Sequence, residues 1–469
     1  MNNIDGIMQR SLAAFKEYGK TPPTQRAAFL EQIAAQLESR REALVATAHE
    51  ESRLPLPRLN GELTRTTNQL KMFARLVREG SWVEASIDKG DKDIRKMLVP
   101  LGPVVVFGAS NFPFAFSTAG GDTASALAAG ASVVVKGHSA HARTSEAVFG
   151  AVLDAIRESG VPEHTVQHVL GPGSTTGKAL VMHPHTTGVG FTGSFSGGRA
   201  LMRYAAERER PVPVFAEMSS INPVVLLPDT LHKNTAALVK TFAASITLGM
   251  GQFCTNPGLL LALESPALEV FLQQLGAEVS QAQAHDMLHS GIADSYAEGV
   301  KDMLDQEGIA VVQRGTGVIA KVAAAVFLRN PHFREEVFGP FSLMVVCKDK
   351  TEMTAVLENV KGQLTGTVMA TEKDLEDHSD IIALQATLAG RVIINDAPTG
   401  VEVCNSMVHG GPFPATSDAR FTSVGATAIK RWVRPVCFQG FPGHLLPEEL
   451  QDGNPRKIWR LVNEQWLNT

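Results

Sequence analysis

The chain has 469 residues, of which 44% are hydrophobic and 19% charged, and its formal net charge is −5. A chain of this length and composition buries a sizeable core, which excludes wholesale disorder and predicts about two to four domains. The charge leaves no basic excess to hold a phosphate backbone, so we do not expect nucleic-acid binding as the main role.

The cysteines and the N-terminus indicate a protein of a reducing, cytoplasmic compartment. Cys254, Cys347, Cys404 and Cys437 include no CxxC pair, so neither a disulfide framework nor a zinc cage is expected. The histidines show no HExxH spacing, and we therefore predict no metal site. The N-terminus carries Asp5 without a following apolar stretch, and apolar tracts are broken well short of a membrane span, so we expect no secretory signal and no membrane partner.

Helical spacing dominates the first hundred residues. Apolar side chains recur at that spacing, namely Leu30, Ile33, Leu37 and Leu44. A second helix is predicted near residues 63–78. Residues 82–96 then become polar and charged, which predicts a solvated hairpin or a protruding arm.

Strands and helices alternate from residue 98 onward, which predicts a parallel sheet covered on both faces. Short buried strands are predicted at 104–107, 133–135, 166–170 and 188–191, with helices at 118–130 and 143–158. Polar loops follow these strands at 108–113, 136–141, 171–177 and 192–198, at the carboxyl ends where such sheets bind ligands. A second alternating region has strands at 224–227 and 258–263, a helix at 234–248, further strands within 309–346, and a buried strand at 390–395.

Three residues are candidates for chemistry. Cys254 lies in the glycine-rich segment GMGQFCTNPG and is either a thiolate nucleophile or a small buried apolar residue. Glu217 follows an apolar run and is either a general base or a helix cap or surface acid. Asn111 follows a strand, where its amide could donate to an oxyanion or simply form a turn before proline.

Two further segments could bind a phosphorylated ligand. The backbone of Gly193–Gly198 (GSFSGG) opens a predicted helix and could hold a diphosphate, although it matches the usual glycine pattern poorly. Lys136 ends a strand and could contact a ribose or a phosphate, the alternative being a solvated lysine.

Taken in chain order, six motifs resemble the aldehyde dehydrogenase superfamily over about residues 25–440. They are SNFP (110–113), the lysine after VVVK (136), FTGS (191–194), the glutamate loop at 217, GQFC (251–254) and EEVFGP (335–340). Further segments are similar to the branch of α-ketoglutarate semialdehyde (2,5-dioxovalerate) dehydrogenases and the NADP-dependent fatty aldehyde dehydrogenase of luminous bacteria. They include FGASNFPFAFS (107–117), VKGHSAH (135–141), PTGVEV (398–403) and HGGPFPA (409–415).

The resemblance implies an α/β aldehyde dehydrogenase fold with a Rossmann-like cofactor domain, a catalytic α/β domain and a small oligomerisation arm. We expect the cofactor domain at residues 1–82 and 99–217, the catalytic domain at 218–430, and bridging segments at 83–98 and 431–469. Homodimers or homotetramers are expected, since family members use the arm to extend a partner's sheet.

The resemblance also implies the roles of the candidate residues. Cys254 would form a thiohemiacetal and then a thioester, Asn111 and the Cys254 backbone N–H would hold the oxyanion, and Glu217 would activate water. Cofactor contacts would come from Lys136, Ser139, Ser194, Glu336 and Phe338.

The position of Ser139 bears on the choice of cofactor. Relatives commonly carry an acid there, and its absence removes a charge that would repel a 2′-phosphate. We therefore expect NADP, with NAD as the alternative. The loop at 171–177 offers no arginine for the phosphate, which leaves Arg143, His138 and Lys178 as candidates.

The substrate tunnel is predicted to include Phe112, Phe116, Phe253 and Thr255. An ω-carboxylate substrate requires a cation there, whereas a long-chain aldehyde requires apolar walls. Our first expectation is 2,5-dioxovalerate, oxidised to 2-oxoglutarate, followed by other semialdehydes or fatty aldehydes. An enzyme that passes the acyl group to coenzyme A and a non-catalytic dinucleotide-binding relative are the rival readings. Glu217 argues against the first of these, because acylating relatives generally lack it.

Overall fold

The computed structural model describes residues 3–469. In chain order the α-helices are α1 (Ile4–Tyr18), α2 (Pro23–Ser39), α3 (Arg41–Ser52), α4 (Leu56–Glu79), α5 (Gly121–Ala129), α6 (Ala142–Ser159), α7 (Lys178–Met182), α8 (Phe195–Ala206), α9 (Pro228–Thr247), α10 (Pro266–Gln281), α11 (Ser290–Leu304), α12 (Ala324–Arg329), α13 (Lys350–Asn359), α14 (Glu372–Asp377) and α15 (Ser379–Leu388).

The strands are β1 (Ser86–Lys89), β2 (Asp93–Pro100), β3 (Val104–Phe107), β4 (Val133–Lys136), β5 (Val166–Val169), β6 (Gly188–Thr192), β7 (Val214–Glu217), β8 (Val224–Leu226), β9 (Leu259–Leu263), β10 (Ile309–Arg314), β11 (Val318–Ala323), β12 (Phe341–Cys347), β13 (Gln363–Met369), β14 (Ala389–Ile394), β15 (Val433–Gln439), β16 (Arg460–Val462) and β17 (Gln465–Leu467).

A parallel sheet forms in the first half of the chain, with the strand order β5-β4-β3-β6-β7. Its central strands β3 and β4 are buried along their whole length, as expected for valine-rich strands covered by helices on both faces. The strand order reverses direction between β3 and β6. The loops after these two strands therefore diverge and leave a crevice at the carboxyl edge of the sheet.

The second sheet has the order β10-β11-β12-β9-β8-β13-β14, and only the β10–β11 pair in it is antiparallel. Separate apolar clusters cover its two faces, one built around α12 and α13 and the other around α9 and α10. β13, which the sequence analysis did not identify, is buried throughout.

A third sheet joins the segment after α4 to the C-terminal part of the chain, in the order β15-β2-β1-β16-β17. β1 and β2 form the predicted hairpin, and β15 pairs with β2 in antiparallel register. The C-terminal segment, which carried no clear sequence pattern, is thus a pair of short strands added beside β1.

The elements predicted from sequence differ from the structure in two places. The helical run containing Leu30 and Leu44 is two helices, because the chain leaves helical geometry at Arg40. The strand expected to be buried at 390–395 is β14, which lies at an edge of the second sheet and exposes alternate side chains to solvent. The four polar loops after β3, β4, β5 and β6 do lie at the carboxyl edge of the first sheet, as predicted. Among the described residues, no helix is long and apolar enough to cross a membrane.

Candidate active site

A cavity of about 340 Å³ opens at the crevice in the first sheet. The loop after β3 lines it with Ala109, Ser110 and Asn111, and the loop after β6 lines it with Thr192, Gly193 and Ser194. Glu217, Cys254, Glu336 and Phe338 complete the lining. The cavity therefore joins the carboxyl edge of the parallel sheet to two loops of the second half of the chain.

The loop that carries Cys254 depends on glycine. Gly249, Met250 and Gly251 all have positive φ values, and a Cβ atom on Gly251 would lie 2.3 Å from the backbone carbon of Gly339. Only a glycine at 251 allows the two backbones to approach this closely. The contact places the cysteine loop against the EEVFGP segment, and the Asn222 amide holds the loop from the other side by donating to the Cys254 carbonyl at 2.9 Å.

Cys254, Glu217 and His409 form a compact cluster whose donor and acceptor atoms all lie within 4.8 Å of one another. His409 Nε2 is 2.9 Å from Glu217 Oε1 and 3.4 Å from Cys254 Sγ. Ser423 Oγ donates to the other oxygen of the carboxylate at 2.8 Å. Glu217 is 3% exposed and His409 is 1% exposed, so both are shielded from bulk solvent.

The charges in this cluster shift its pKa values in opposite directions. Burial, together with the charges of Glu217 and Glu336, raises the pKa of the Cys254 thiol well above its usual value. Burial also favours a higher pKa for Glu217. That effect is outweighed by the charge of His409 and by hydrogen bonds from His409, Ser423 and Cys254, which leave the pKa below its ordinary value. A neutral thiol therefore rests beside an ionised carboxylate that can accept its proton.

Asn111 lies at the entrance to the same cluster. It is 9% exposed, and its side-chain amide donates to the Gln252 carbonyl at 3.2 Å, two residues before Cys254. The Arg58 guanidinium fixes its backbone by donating to the Asn111 carbonyl at 2.9 Å. The amide is thus held beside the cysteine loop, where it can donate to an oxygen atom on a carbon bound to Sγ.

A second cavity, of about 190 Å³, is also lined by Cys254. Phe112, Phe116, Phe253 and Thr255, which the sequence analysis assigns to a substrate tunnel, line it together with Val401 and His409. The helix α4 contributes Arg58, Glu62 and Arg65 to the same wall. Cys254 thus lines both a cavity with mixed polar walls and a cavity that is largely apolar but contains three charged side chains.

The residues expected to hold a dinucleotide fit that role. Lys136 ends β4 and is 8% exposed, and within the described residues its ammonium makes no hydrogen bond or ion pair. Ser194 caps the exposed N-terminus of α8, where unpaired backbone N–H groups favour a diphosphate.

Glu336 and Phe338 line the 340 Å³ cavity, and burial raises the pKa of Glu336 to about 7. Ser139 is exposed in the turn after β4, in line with the same edge of the sheet.

Sequence reasoning missed His409, Ser423 and the two arginines of the tunnel. His409 begins the HGGPFPA segment, which suggested a relationship but no chemical role. Ser423 carried no signal at all, because it reaches Glu217 only through the fold. The three donor atoms of Cys254, Glu217 and His409 are also types that bind zinc, although these residues are already hydrogen-bonded to one another.

The chain matches the model of the aldehyde dehydrogenase family over residues 1–412. It is 49% identical to alpha-ketoglutaric semialdehyde dehydrogenase 2 of Azospirillum brasilense over 98% of this chain and 91% of that protein. It is 44% identical to the alpha-ketoglutaric semialdehyde dehydrogenase of Acinetobacter baylyi over 99% of this chain and 91% of that protein.

Solved structures agree in fold. Betaine aldehyde dehydrogenase of Staphylococcus aureus superposes with a TM-score of 0.80 at 19% identity, covering 93% of this chain and 87% of that one. A 1-pyrroline-5-carboxylate dehydrogenase also superposes with a TM-score of 0.80 at 19% identity, covering 93% of this chain and 85% of that one. By sequence and by fold, this chain belongs to the aldehyde dehydrogenase family and is an oxidoreductase.

Proposed function

We propose that the protein oxidises 2,5-dioxovalerate to 2-oxoglutarate with NADP, through a thiohemiacetal and a thioester on Cys254. The observation that carries the proposal is the position of Cys254 where the two cavities meet, with Glu217 and His409 grouped around its sulfur. The extensive identity with two alpha-ketoglutaric semialdehyde dehydrogenases supports this choice of substrate.

The first step is attack of the Cys254 sulfur on the aldehyde carbon. The thiol gives its proton to the Glu217 carboxylate, which its lowered pKa keeps ionised beforehand and which becomes ionised again when the proton leaves the site. His409 Nε2, assigned as a donor because it faces two acceptors, stabilises both the carboxylate and the forming thiolate. Asn111 and the Cys254 backbone N–H donate to the aldehyde oxygen as it becomes an oxyanion.

Loss of a hydride from the carbon then gives the thioester, and an oxidised dinucleotide, when bound, would supply the hydride acceptor. Lys136, Ser194, Glu336 and Phe338 are the residues that would hold this cofactor. Glu217 next removes a proton from a water molecule, which attacks the thioester carbon and releases the carboxylate and the Cys254 thiol. In the net reaction, the aldehyde and one water molecule together lose a hydride and a proton and form the carboxylic acid.

The surroundings of β4 favour NADP over NAD. Ser139 brings no negative charge to the region expected to hold the ribose. Arg143 pairs with Glu50 at 3.1 Å and is also close to Glu51, so it is engaged elsewhere. Lys178 lies 5.1 Å from the Tyr204 ring without an ion pair among the described residues, which leaves its charge available for a 2′-phosphate.

The residues of the same site argue against each of the rival functions. A fatty aldehyde would have to bury its methylene groups against the two arginines of the 190 Å³ cavity, which disfavours it. Transfer to coenzyme A would make no use of the hydrogen-bonded Glu217. A non-catalytic role would leave the cluster of Cys254, Glu217 and His409 without a purpose.

We also infer a homodimer or homotetramer that works in the cytoplasm. The β1–β2 hairpin and the C-terminal strands form the sheet through which the family resemblance implies assembly. The cysteines of the described chain are all free, which suits a reducing compartment. Light scattering that shows a monomer at micromolar concentration would contradict the assembly.

The test follows formation of the reduced dinucleotide by purified protein with 2,5-dioxovalerate and either NADP or NAD. We expect turnover that is faster with NADP, is unaffected by Cys437→Ala, and disappears in Cys254→Ala. Cys437 is an exposed cysteine and therefore a matched control. Turnover of decanal but not of 2,5-dioxovalerate would refute the substrate, and dinucleotide binding without any turnover would refute the catalytic role.

A further inference from the structure

Two arginines and a glutamate form a stripe along one side of α4. Arg58, Glu62 and Arg65 are spaced by four and three residues, so they lie on the same side of the helix, with the arginines about 10 Å apart along its axis. All three line the 190 Å³ cavity that leads to Cys254. The rest of that wall is largely aromatic and aliphatic, and charges in such surroundings require an explanation.

The two guanidinium groups make few hydrogen bonds with the protein. Arg58 donates only to the Asn111 carbonyl, and Arg65 donates only to the Val401 carbonyl at 3.4 Å, within the described residues. In the part of the chain that the structure describes, neither forms an ion pair within 4.0 Å, and the Nη1 atom of each is buried without a partner. A guanidinium has five N–H groups, so most of the donors on each arginine are unused.

Two other buried arginines of this chain make more contacts with the protein. Arg431 pairs with Asp122 at 2.7 Å, and Arg208 donates to three backbone carbonyls. Arg26 and Arg460 are also buried and leave their Nε atoms without a partner among the described residues, but neither of them lines the 190 Å³ cavity. The incomplete pairing of Arg58 and Arg65 matters because both line the cavity that reaches Cys254.

Aromatic rings hold the guanidinium groups in place without using their donors. Arg58 lies 4.6 Å from the Phe253 ring centre and 5.2 Å from that of Phe112, and Arg65 lies 5.1 Å from that of Phe116. Contact with a ring occupies the face of a guanidinium and leaves the N–H groups at its edge free for a carboxylate.

We propose that Arg58 and Arg65 bind the carboxylate of the substrate and make the enzyme selective for short aldehydes that carry this anionic group. The inference rests on the proposed function and specifies how the same site recognises its substrate. Arg65 lies against Phe116, whose ring centre is 6.3 Å from that of His409, and Arg58 lies against Phe253, the residue before Cys254.

Glu62 lies between the arginines but does not neutralise the site. One carboxylate oxygen accepts the backbone N–H groups of Phe114 at 2.8 Å and Ala115 at 2.9 Å, which ties Glu62 to the SNFP loop. Its other oxygen is buried without a partner. With Glu62 ionised, the stripe retains one net positive charge, which an anionic substrate would balance.

The test compares kcat/KM for 2,5-dioxovalerate with kcat/KM for pentanal, an uncharged aldehyde of equal chain length. We expect Arg58→Met and Arg65→Met each to reduce the ratio by about 10- to 100-fold, since each removes charge-assisted hydrogen bonds to the carboxylate. Taking the ratio cancels any effect of the arginines on the Cys254 thiol. Arg65→Lys should restore part of the selectivity, and Arg75→Met, at an exposed position on the same helix, should change nothing.

A binding measurement separates this inference from the proposed function. Calorimetry should show that the Cys254→Ala variant binds the product 2-oxoglutarate. The double variant Cys254→Ala, Arg65→Met should bind it about 10- to 100-fold more weakly. Wild-type turnover of 2,5-dioxovalerate together with an unchanged selectivity ratio in both methionine variants would overturn the arginine site alone. An equal decrease in kcat/KM for 2,5-dioxovalerate and for pentanal would also overturn the arginine site, because such a decrease would assign the arginines a structural role. Absence of wild-type turnover would instead refute the proposed function.

Discussion

The two cavities that meet at Cys254 are built in different ways. The 340 Å³ cavity is formed mainly by loops at the carboxyl ends of parallel strands, where the chain changes direction between β3 and β6. The 190 Å³ cavity is walled by the side of one helix, three phenylalanines and the segment around Val401. The first is a consequence of sheet topology, whereas the second depends on which side chains happen to face it.

This difference suggests how the functions are divided. A strand-end cavity presents backbone N–H groups and helix N-termini in a fixed arrangement, which suits a cofactor shared by many relatives. A helix side can change its residues without altering the backbone, so it suits the recognition of one substrate. Substitutions of Cys254, Glu217 or His409 should therefore change the rate for all aldehydes alike. Substitutions elsewhere in the 340 Å³ cavity should change the affinity for the cofactor only, and substitutions elsewhere in the 190 Å³ cavity the affinity for the aldehyde only.

The largest effect is expected from Glu217→Gln, at the boundary between the cavities. The amide keeps the shape of the carboxylate but cannot take a proton from water, so steady-state turnover should fall about 10²- to 10⁴-fold for every aldehyde. Glutamine also cannot take the proton of the Cys254 thiol, so acylation should slow as well as hydrolysis. Mass spectrometry of the quenched enzyme should still detect an acyl group on Cys254 that persists longer than in the wild type, because its hydrolysis lacks a base.

The control for this substitution is Glu335→Gln, since Glu335 is exposed and paired with His332. It should leave the rate unchanged. A Glu217→Gln enzyme that turns over within about tenfold of the wild type, without an acyl adduct, would remove Glu217 from the hydrolytic step.

A second comparison concerns two glycines, Gly251 in the cysteine loop and Gly400 in the wall of the 190 Å³ cavity. Gly251→Ala should lower the free energy of unfolding by about 3 kcal/mol or more, because its Cβ would collide with the Gly339 backbone at a φ of 63°. Gly400→Ala should cost only about 1 kcal/mol, since no atom lies within 4 Å of its Cβ position and only the φ of 101° is strained. Thermal unfolding at matched protein concentration measures both. Equal decreases in the free energy of unfolding would show that the two positions tolerate a Cβ atom equally well.

The same difference between the cavities explains how far the sequence could predict the site. The strand-end loops carry Asn111, Lys136 and Ser194, and each follows a short apolar run that marks a buried strand. The phenylalanines that line the 190 Å³ cavity could also be named from the sequence, because they lie within five residues of Asn111 or Cys254.

Arg58 and Arg65 were not found, because an arginine in an amphipathic helix has the same pattern whether it faces solvent or a cavity. His409 reaches Glu217 across 192 positions of sequence, and nothing local reveals that contact. In the fold, the fully buried β13 was missed because Gln363, Thr365 and Thr367 break its apolar run.

His409→Gln should lower kcat about 10- to 100-fold and change its dependence on pH. Glutamine can still donate to Glu217, but it removes the positive charge that keeps the pKa of that carboxyl low. Burial then dominates and the pKa rises. Glu217 must be ionised to act as a base, so the acid limb of the kcat profile should move to higher pH. An acid limb that stays in place would show that Ser423 and the backbone set the pKa without His409.

Lys136→Met should have the smallest effect, confined to the cofactor side. Removing the ammonium at the end of β4 should raise the KM for the dinucleotide about tenfold, while the KM for 2,5-dioxovalerate stays the same. Burial lowers the pKa of Lys136, so the wild-type enzyme should lose dinucleotide affinity at a lower pH than a solvated lysine would allow, as the ammonium gives up its proton. The variant should lack that alkaline limb, and Lys92→Met, at an exposed position in the β1–β2 hairpin, should retain it. If Lys136→Met raised both KM values together, the lysine would be supporting the catalytic cluster as a whole, and the separation between the two cavities would not hold at this strand end.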